Sequence, residues 1–433
     1  MPLGLLILYR LNQGRDVRTR IKINFLFGIA FQIIPLYWIG TYVGNFAWIA
    51  LVLMQATFFV ALAFSRGPVA FAAAWILFEF ILRSFPFGGF GWNRIGFALH
   101  DSPLNYLYPR IGIVGVAFLV VLSVSLLVEY RLKGLLISIA ILLSLSLIPV
   151  NIAASDQIEV ALIQGGQTQK MDNTFENSEG AISRHFNAMS TVKANTVDLV
   201  IWPENAIMHD PLVRRSTREF LISESKRIAA PILVNGNLAN GTNGSVLVGD
   251  GENQSYSKRY LTPFGEFIPF QSLVSKITDK ASKVIPYIAG TDPYLFKSDK
   301  VKFRTLICYE LLSDKQARTE MSDTDFIVTQ TNNATYFKTW QLDQELSLAQ
   351  ARSAETHRQT AYVSTTGGTS LIDEKGGIVS ELPQYENGAL IGSVKTFTGS
   401  TPAVSYGSYL EIGLLVLWFA LAIRALQRRF KKA

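Results

Sequence analysis

Three polar clusters in the second half of the chain carry residue types that can do chemistry together. Trp202-Pro-Glu204 closes one β-rich run. Lys258 precedes Thr262-Pro-Phe-Gly-Glu266, and Leu306-Ile-Cys308-Tyr-Glu310 closes another apolar run. Taken singly, each has an ordinary explanation: the glutamate as a helix cap or first-turn charge, the lysine as a solvated side chain, the cysteine as a small buried hydrophobe. Taken together they form an acyl-transfer set. A thiol with a pKa of about 8.5 is mostly protonated at neutral pH. It needs a base, and a carboxylate whose proton affinity is raised by burial is one. The tetrahedral intermediate that follows develops an oxyanion, which a fixed ammonium and a backbone N–H stabilise. This chemistry assigns Glu204 as base, Cys308 as nucleophile, and Lys258 with the Tyr309 amide as the oxyanion site.

Cys308 is the single cysteine, which excludes an internal disulfide framework and any multi-thiolate zinc or iron–sulfur site. The four histidines, His100, His185, His209 and His357, fall in no HExxH or HxH spacing, so no metal and no cofactor is expected.

The elements that must position this set have an α/β texture from residue 151 onward. Ile158–Ile163, Val197–Trp202, Pro231–Val234, Ser245–Val248, Phe303–Ile307, Asp325–Thr329 and Ala361–Thr365 read as strands. Helical patterns lie near Asn177–Ala194, Thr217–Arg227 and Asp343–Arg358. That order predicts a layered α/β domain. Asn240-Gly and Asn243-Gly read as hairpin turns.

The ends of the chain differ. The 433 residues are 49% hydrophobic and only 17% charged, with a net charge of +7, and the mean hydropathy is +0.25. Soluble domains carry about 25% charge, so a fully soluble protein is not expected. Residues 1–150 hold 11 Lys/Arg against 4 Asp/Glu, residues 151–400 hold 24 against 28, and residues 401–433 hold 5 against 1. The basic character therefore lies in the two ends and marks no nucleic-acid site.

Apolar runs at Ile23–Thr41, Phe46–Phe64, Val69–Leu82, Ile111–Val128, Gly134–Val150 and Ile412–Ile423 approach the ~20 residues that span a bilayer. Arg10, Arg15, Arg18, Arg20, Lys22, Arg66, Arg131, Lys133, Arg424, Arg428, Arg429, Lys431 and Lys432 then lie in cytoplasmic loops by the positive-inside rule, with about 151–405 outside. The expected organisation is a membrane domain over 1–150, a catalytic domain over 151–405, and a last span with a basic tail over 406–433. The apolar start, Met1–Tyr9, reads as the tail of a span or an interfacial segment. Glu79 and Arg83 read as an i, i+4 pair snorkelling from a helix end. Phe85–Trp92 reads either as an interfacial loop or as the wall of a lipid-entry groove.

Glu204 in its WPE context, Lys258 eight residues before the Glu266 of PFGE, and Cys308 in ICYE resemble the Glu-Lys-Cys triad of the nitrilase superfamily. With spans on both sides, the chain resembles the apolipoprotein N-acyltransferase family from about Asn24 to Ile423. Gln164 at the end of the first strand and Arg352-Ser-Ala-Glu355 look like further family positions. Lys170-Met171 stands where the family often has Lys-Trp, and Asn332-Asn-Ala-Thr-Tyr-Phe337 where it often has Asn-Asp-x-Trp-Phe.

The resemblance implies an α-helical transmembrane bundle plus an extracytoplasmic α/β nitrilase-like four-layer sandwich domain. It implies a multi-pass protein of the bacterial cytoplasmic membrane and ping-pong chemistry. The acyl donor would be a phospholipid, and the acceptor a diacylglyceryl lipoprotein. It also implies supporting roles for Glu266, as the residue orienting Lys258 or Glu204, and for Trp202, Tyr309 and Glu310, as lining of the substrate cavity. A membrane-anchored amidohydrolase would share the same triad.

Overall fold

Alternation along one short strand shows how the second half of the chain is layered. In the strand Leu199–Ile201, Leu199 and Ile201 join a core that lies between two sheets, while Val200, together with Trp202 just past the strand, joins a core shared with helices. Successive side chains of a strand point to opposite faces, so a run that is apolar throughout must be covered on both. The second sheet is built in the same way, which gives a helix–sheet–sheet–helix sandwich. The computed structural model describes residues 2–166, 175–249, 251–274, 276, 286–336 and 338–430. Lys170-Met171, Phe337, Lys431 and Lys432 lie outside the described residues.

The chain divides into two compact units, Met1–Val150 with Thr401–Ala433, and Asn151–Ser400. In the second unit the strands are β1 Ile152–Gln164, β2 Leu199–Ile201, β3 Ile232–Asn237, β4 Asn243–Val248, β5 Gln254–Ser257, β6 Phe296–Lys297, β7 Lys302–Ile307, β8 Phe326–Thr331, β9 Thr360–Ser364, β10 Thr369–Ile372, β11 Ile378–Leu382 and β12 Gly388–Gly399. One sheet has the order β12-β1-β2-β3-β4-β5 and the other β11-β10-β9-β8-β7-β6. Both share a plan: three parallel strands in the middle (β1-β2-β3 and β7-β8-β9) with antiparallel strands outside. Ile158, Val160, Leu162, Leu233, Phe303, Phe326, Val328 and Val363 fill the space between the sheets. The helices Phe175–Met189 and Arg215–Ile228 belong to the first sheet's outer layer, and Gln341–Thr356 to the second's.

Every strand read from the sequence falls on a strand of the structure. β5, β6 and β10–β12 were not foreseen. Gln254-Ser-Tyr-Ser257 is polar, β6 has two residues, and β11 is a half-exposed edge, so none shows an apolar run. One turn reading is corrected. Asn240-Gly does lie in the β3–β4 turn, where Gly241 takes φ +80°. Asn243-Gly244 instead opens β4, paired with Asn237 and Gly236. Its backbone is in the ladder, so the Asn243 side chain is free to work elsewhere.

The first unit is helical. Among the described residues, three of its helices are long and apolar enough to cross a membrane: Asn45–Phe64, Asn105–Tyr130 and Pro402–Ala425. A shorter apolar helix covers Leu132–Ser146. The run Ile23–Thr41 is not one helix. It breaks after Ile33 ahead of Pro35 and resumes at Tyr37–Tyr42, because proline lacks the N–H and disfavours a helical residue before it. Helix Pro68–Ser84 starts with proline in its first turn, where the missing donor costs nothing.

The Glu79–Arg83 reading is also corrected. Glu79 is buried and accepts from Trp75 Nε1 and the Ile95 amide, each at 3.0 Å, and pairs with buried Arg94. Arg83 pairs with Glu411 of the C-terminal helix. Phe85–Trp92 folds back on its own helix: the Phe90 amide donates to Leu82 O at 2.7 Å. Gly89 packs so tightly against the backbone of Arg83 and Ser84 that a Cβ would lie 2.1 Å from it.

Candidate active site

The site is built where strands of both sheets end at their carboxyl side, the usual location for ligand chemistry in α/β sheets. β2 delivers Glu204, β5 delivers Lys258, β7 delivers Cys308 and β8 delivers Asn332. Lys258 is the centre. Its Nζ lies 3.0 Å from Glu204 Oε1 and 2.9 Å from Glu266 Oε2, and the lysine is 1% exposed. Asn243 Nδ2 donates to both carboxylates, to Glu204 Oε1 and Glu266 Oε1, at 2.8 Å each. The Asn332 amide donates to Glu204 Oε2 at 3.1 Å and the Thr262 amide to Glu266 Oε2 at 2.8 Å. Two carboxylates this close repel, and the ammonium between them with four amide hydrogen bonds offsets that repulsion.

Burial by itself would push the Lys258 ammonium down. The charges of Glu204 and Glu266 outweigh it and hold the ammonium well above its ordinary range. Burial also works against an ionised Glu266, but Lys258 and the Thr262 amide overcome it and keep the carboxyl below the usual range. Of the three N–H donors of Lys258, two are committed to carboxylates.

Cys308 has φ +49°, a left-handed conformation that a non-glycine residue adopts at a cost of about 1–3 kcal/mol. It opens the turn Cys308–Leu312. Glu310 holds that turn. Its Oε2 accepts from the Ile307 amide at 3.0 Å, and its Oε1 accepts from Tyr256 Oη at 2.6 Å and from the Arg259 and Tyr260 amides at 2.8 and 3.3 Å. Glu310 therefore ties the residues that follow Lys258 to the turn that carries Cys308. From below, Arg352 Nε donates to Leu311 O at 2.8 Å. Arg352 is itself fixed by Asp314 and by Glu355, which also binds Arg318. Burial, then the negative charge of Glu204 and Glu345, push the Cys308 thiol well above its ordinary range, and Lys258 opposes them only in part. The resting nucleophile is thus a thiol that needs a base to act.

Glu204, Lys258, Cys308 and Glu266 are brought together, and the Tyr309 amide is part of the nucleophile turn. Two residues are placed otherwise than as cavity lining. Trp202 points to the helix side of its sheet, where its ring meets His185 at 5.3 Å and Phe186 at 5.2 Å. Only its carbonyl turns inward, accepting from Gln330 Nε2 at 2.7 Å. Glu310 is fully buried and saturated by the donors above.

Sequence reasoning missed Asn243, read as a turn residue, and Gln330, which joins Ser245 of one sheet to Thr305 of the other through its Oε1. It also missed Glu345, buried on the helix Gln341–Thr356. The signal for Glu345 was present: it lies on the same stripe as Leu342, Leu348 and Ala349, where a carboxylate has no packing reason to be.

With this geometry in view, similarity to known proteins is informative. Residues 159–402 match the carbon-nitrogen hydrolase family. The chain belongs to that family. Residues 1–126 match the Apolipoprotein N-acyltransferase N-terminal domain. A protein named Apolipoprotein N-acyltransferase from Coxiella burnetii is 29% identical over 372 residues, 81% of this chain and 76% of that one. One of the same name from Wigglesworthia glossinidia brevipalpis is 27% identical over 412 residues, 90% of this chain and 81% of that one. A solved CN-hydrolase superfamily protein from Xanthomonas campestris is 18% identical with a TM-score of 0.43, covering 60% of this chain and 97% of that one. This carbon-nitrogen hydrolase domain is therefore carried on a chain whose apolar helices are long enough to cross a membrane.

Two outcomes follow. Alkylation of Cys308 by iodoacetamide, followed by intact mass, stays slow at pH 7 and is still rising past pH 9, because the raised thiol loses its proton only in alkaline solution. Asn243→Ala removes a donor from both carboxylates. It lowers the single-turnover rate of Cys308 acylation roughly tenfold or more, since a hydrogen bond to a charged group contributes about 1.5–3 kcal/mol.

Proposed function

We propose that this protein is an apolipoprotein N-acyltransferase that moves an acyl chain from a phospholipid, through a thioester on Cys308, to the N-terminal amine of diacylglyceryl-cysteine lipoproteins. The observation that carries the reading is the buried Glu204–Lys258–Glu266 cluster beside a cysteine in a strained left-handed conformation, in a chain whose first 126 residues match the acyltransferase N-terminal domain. A hydrolase shares the triad but has no need of that domain.

In the first half-reaction Cys308 Sγ attacks the ester carbonyl carbon while its proton passes to Glu204. The carbonyl oxygen becomes an oxyanion, held by the remaining Lys258 N–H and the Tyr309 amide. Collapse breaks the ester C–O bond, and Glu204 returns the proton to the departing lysophospholipid. In the second half-reaction the acceptor amine attacks the thioester carbon. The C–N bond forms, the C–S bond breaks, and the thiolate recovers a proton by way of Glu204. Lys258 stays charged throughout, so it stabilises negative charge without needing to exchange a proton. The catalytic unit faces the extracytoplasmic side of the bacterial cytoplasmic membrane, a placement supported by the basic residues clustered in the loops of the two ends. Both substrates are then confined to the same bilayer as the enzyme.

Intact mass spectrometry of the purified protein after incubation with phospholipid tests this reading. The expected result is an acyl adduct on Cys308 that hydroxylamine removes and that Cys308→Ala lacks. An absence of adduct in the wild type, or an unchanged adduct in Cys308→Ala, would overturn it.

A further inference from the structure

A third carboxyl, buried on a helix that packs against the nucleophile turn, has no part in the steps above. Glu345, on the helix Gln341–Thr356, is 1% exposed. Its Oε2 accepts from Asn333 Nδ2, from Gln341 Nε2 at 3.1 Å and from Thr331 Oγ1 at 3.4 Å. Its Oε1 is buried and has no hydrogen-bond partner among the described residues. Its donors Thr331 and Asn333 flank Asn332, whose amide binds Glu204 Oε2, the helix packs against the nucleophile turn, and the negative charge of Glu345 acts on the Cys308 thiol.

The contrast with the unit's other buried acids is informative. Glu204 and Glu266 share Lys258. Glu355 has Arg318 and Arg352, and Asp314 has Arg352. Glu310 has no cation but is saturated by four donors. Among the described residues Glu345 alone of these six combines no cation with an empty oxygen, and its helix packs against the turn that carries the reacting sulfur.

After acylation the enzyme holds a thioester on the turn against which this helix packs, and Oε1 of the buried carboxyl has no hydrogen-bond partner among the described residues. A buried carboxylate oxygen without a partner is costly, so a cation or donor that arrives is bound there. In the second half-reaction that group is the acceptor's primary ammonium, which has no lone pair and cannot attack until it gives up a proton.

We propose that Glu345 receives the ammonium of the acceptor and takes its first proton, making the amine that attacks the Cys308 thioester. Low-dielectric surroundings favour the neutral acid and neutral amine over the ion pair. Burial raises the proton affinity of Glu345, the donor Asn333 opposes it, and the charge of Glu204 adds to it. The titratable groups that face this site are Cys308 on its turn, Glu204 after β2 and Tyr362 on β9, with Lys258 and Glu266 beyond the sulfur. One N–H proton goes to Glu345, the nitrogen lone pair forms the C–N bond, and a second N–H proton passes through Glu204 to the sulfur as the C–S bond breaks. Glu345 releases its proton to solvent with the product.

This inference rests on the thioester reading, and its test separates the two. Acyl-enzyme is prepared from phospholipid with the wild type and with Glu345→Gln, then offered either hydroxylamine, which is neutral at pH 7, or a diacylglyceryl-cysteine peptide, whose α-amine is mostly ammonium there. In the variant the acyl-enzyme still forms and hydroxylamine cleaves it as in the wild type. Transfer to the peptide is about tenfold slower at pH 7, and the difference closes above pH 9, because an α-amine with a pKa of about 8 is then already neutral. Wild-type transfer to the peptide at pH 7, or an equal loss toward both amines at every pH, would overturn the inference. Glu345→Asp, which keeps the carboxyl but withdraws it by one methylene, decides the matter if the glutamine variant does not fold: a smaller loss that also closes above pH 9 supports the role, and wild-type behaviour or a pH-independent loss overturns it. No acyl-enzyme in the wild type would instead defeat the thioester reading itself.

Discussion

The buried ammonium of Lys258 between Glu204 and Glu266 is the interaction on which the catalytic unit depends. Taking three charges out of water is costly, and their mutual attraction repays it only when the remaining hydrogen bonds are in place. The fold supplies them from four directions: Asn243 from β4, the Asn332 amide from the end of β8, the Thr262 amide from the loop after Lys258, and the lysine itself from the end of β5. Removing one partner leaves an uncompensated buried charge, a loss of about 3–5 kcal/mol in comparable sites. The register of β3 with β4 is thereby functional, since a slip of one residue would turn Asn243 to the other face.

The second constraint is the strained nucleophile. A left-handed Cys308 persists because its turn is gripped on both sides, by Glu310 through the Ile307 amide and by Arg352 through Leu311 O. Glu310 also holds the Arg259 and Tyr260 amides, so the nucleophile and the residues adjoining Lys258 are clamped by one side chain. The Arg318–Glu355–Arg352–Asp314 network under the turn is fully internal and makes the geometry rigid rather than adaptable. Strain of this kind belongs to catalytic sites because the surrounding structure offsets it.

Much of this was legible in the residues. Apolar runs that end in a polar residue, such as Leu199–Trp202 before Glu204 and Phe303–Ile307 before Cys308, announce buried strands, and both strands are found there. The layered α/β fold followed from their order. What stayed hidden depended on pairing in space. Asn243-Gly244 looks like a turn because local chemistry favours one, and only the ladder with β3 shows it as a strand. Trp202 looked like a site residue by its position beside Glu204, yet strand alternation sends its ring to His185 and Phe186. Glu79 and Arg83 have helical i, i+4 spacing, but each finds a partner far away in sequence, Arg94 and Glu411. Glu345 needed both the helix stripe and the nearness of Cys308, and the second is a tertiary fact.

The central claim is that the acyl chain leaves Cys308 for an amine and not for water. The direct measurement is a chase. The enzyme is loaded from a phospholipid with a labelled acyl chain, freed of excess donor, and mixed with a diacylglyceryl-cysteine peptide. The account predicts that the label leaves the protein and appears on the peptide as an amide that hydroxylamine does not remove. Release of the label as free fatty acid, with none on the peptide, would contradict it.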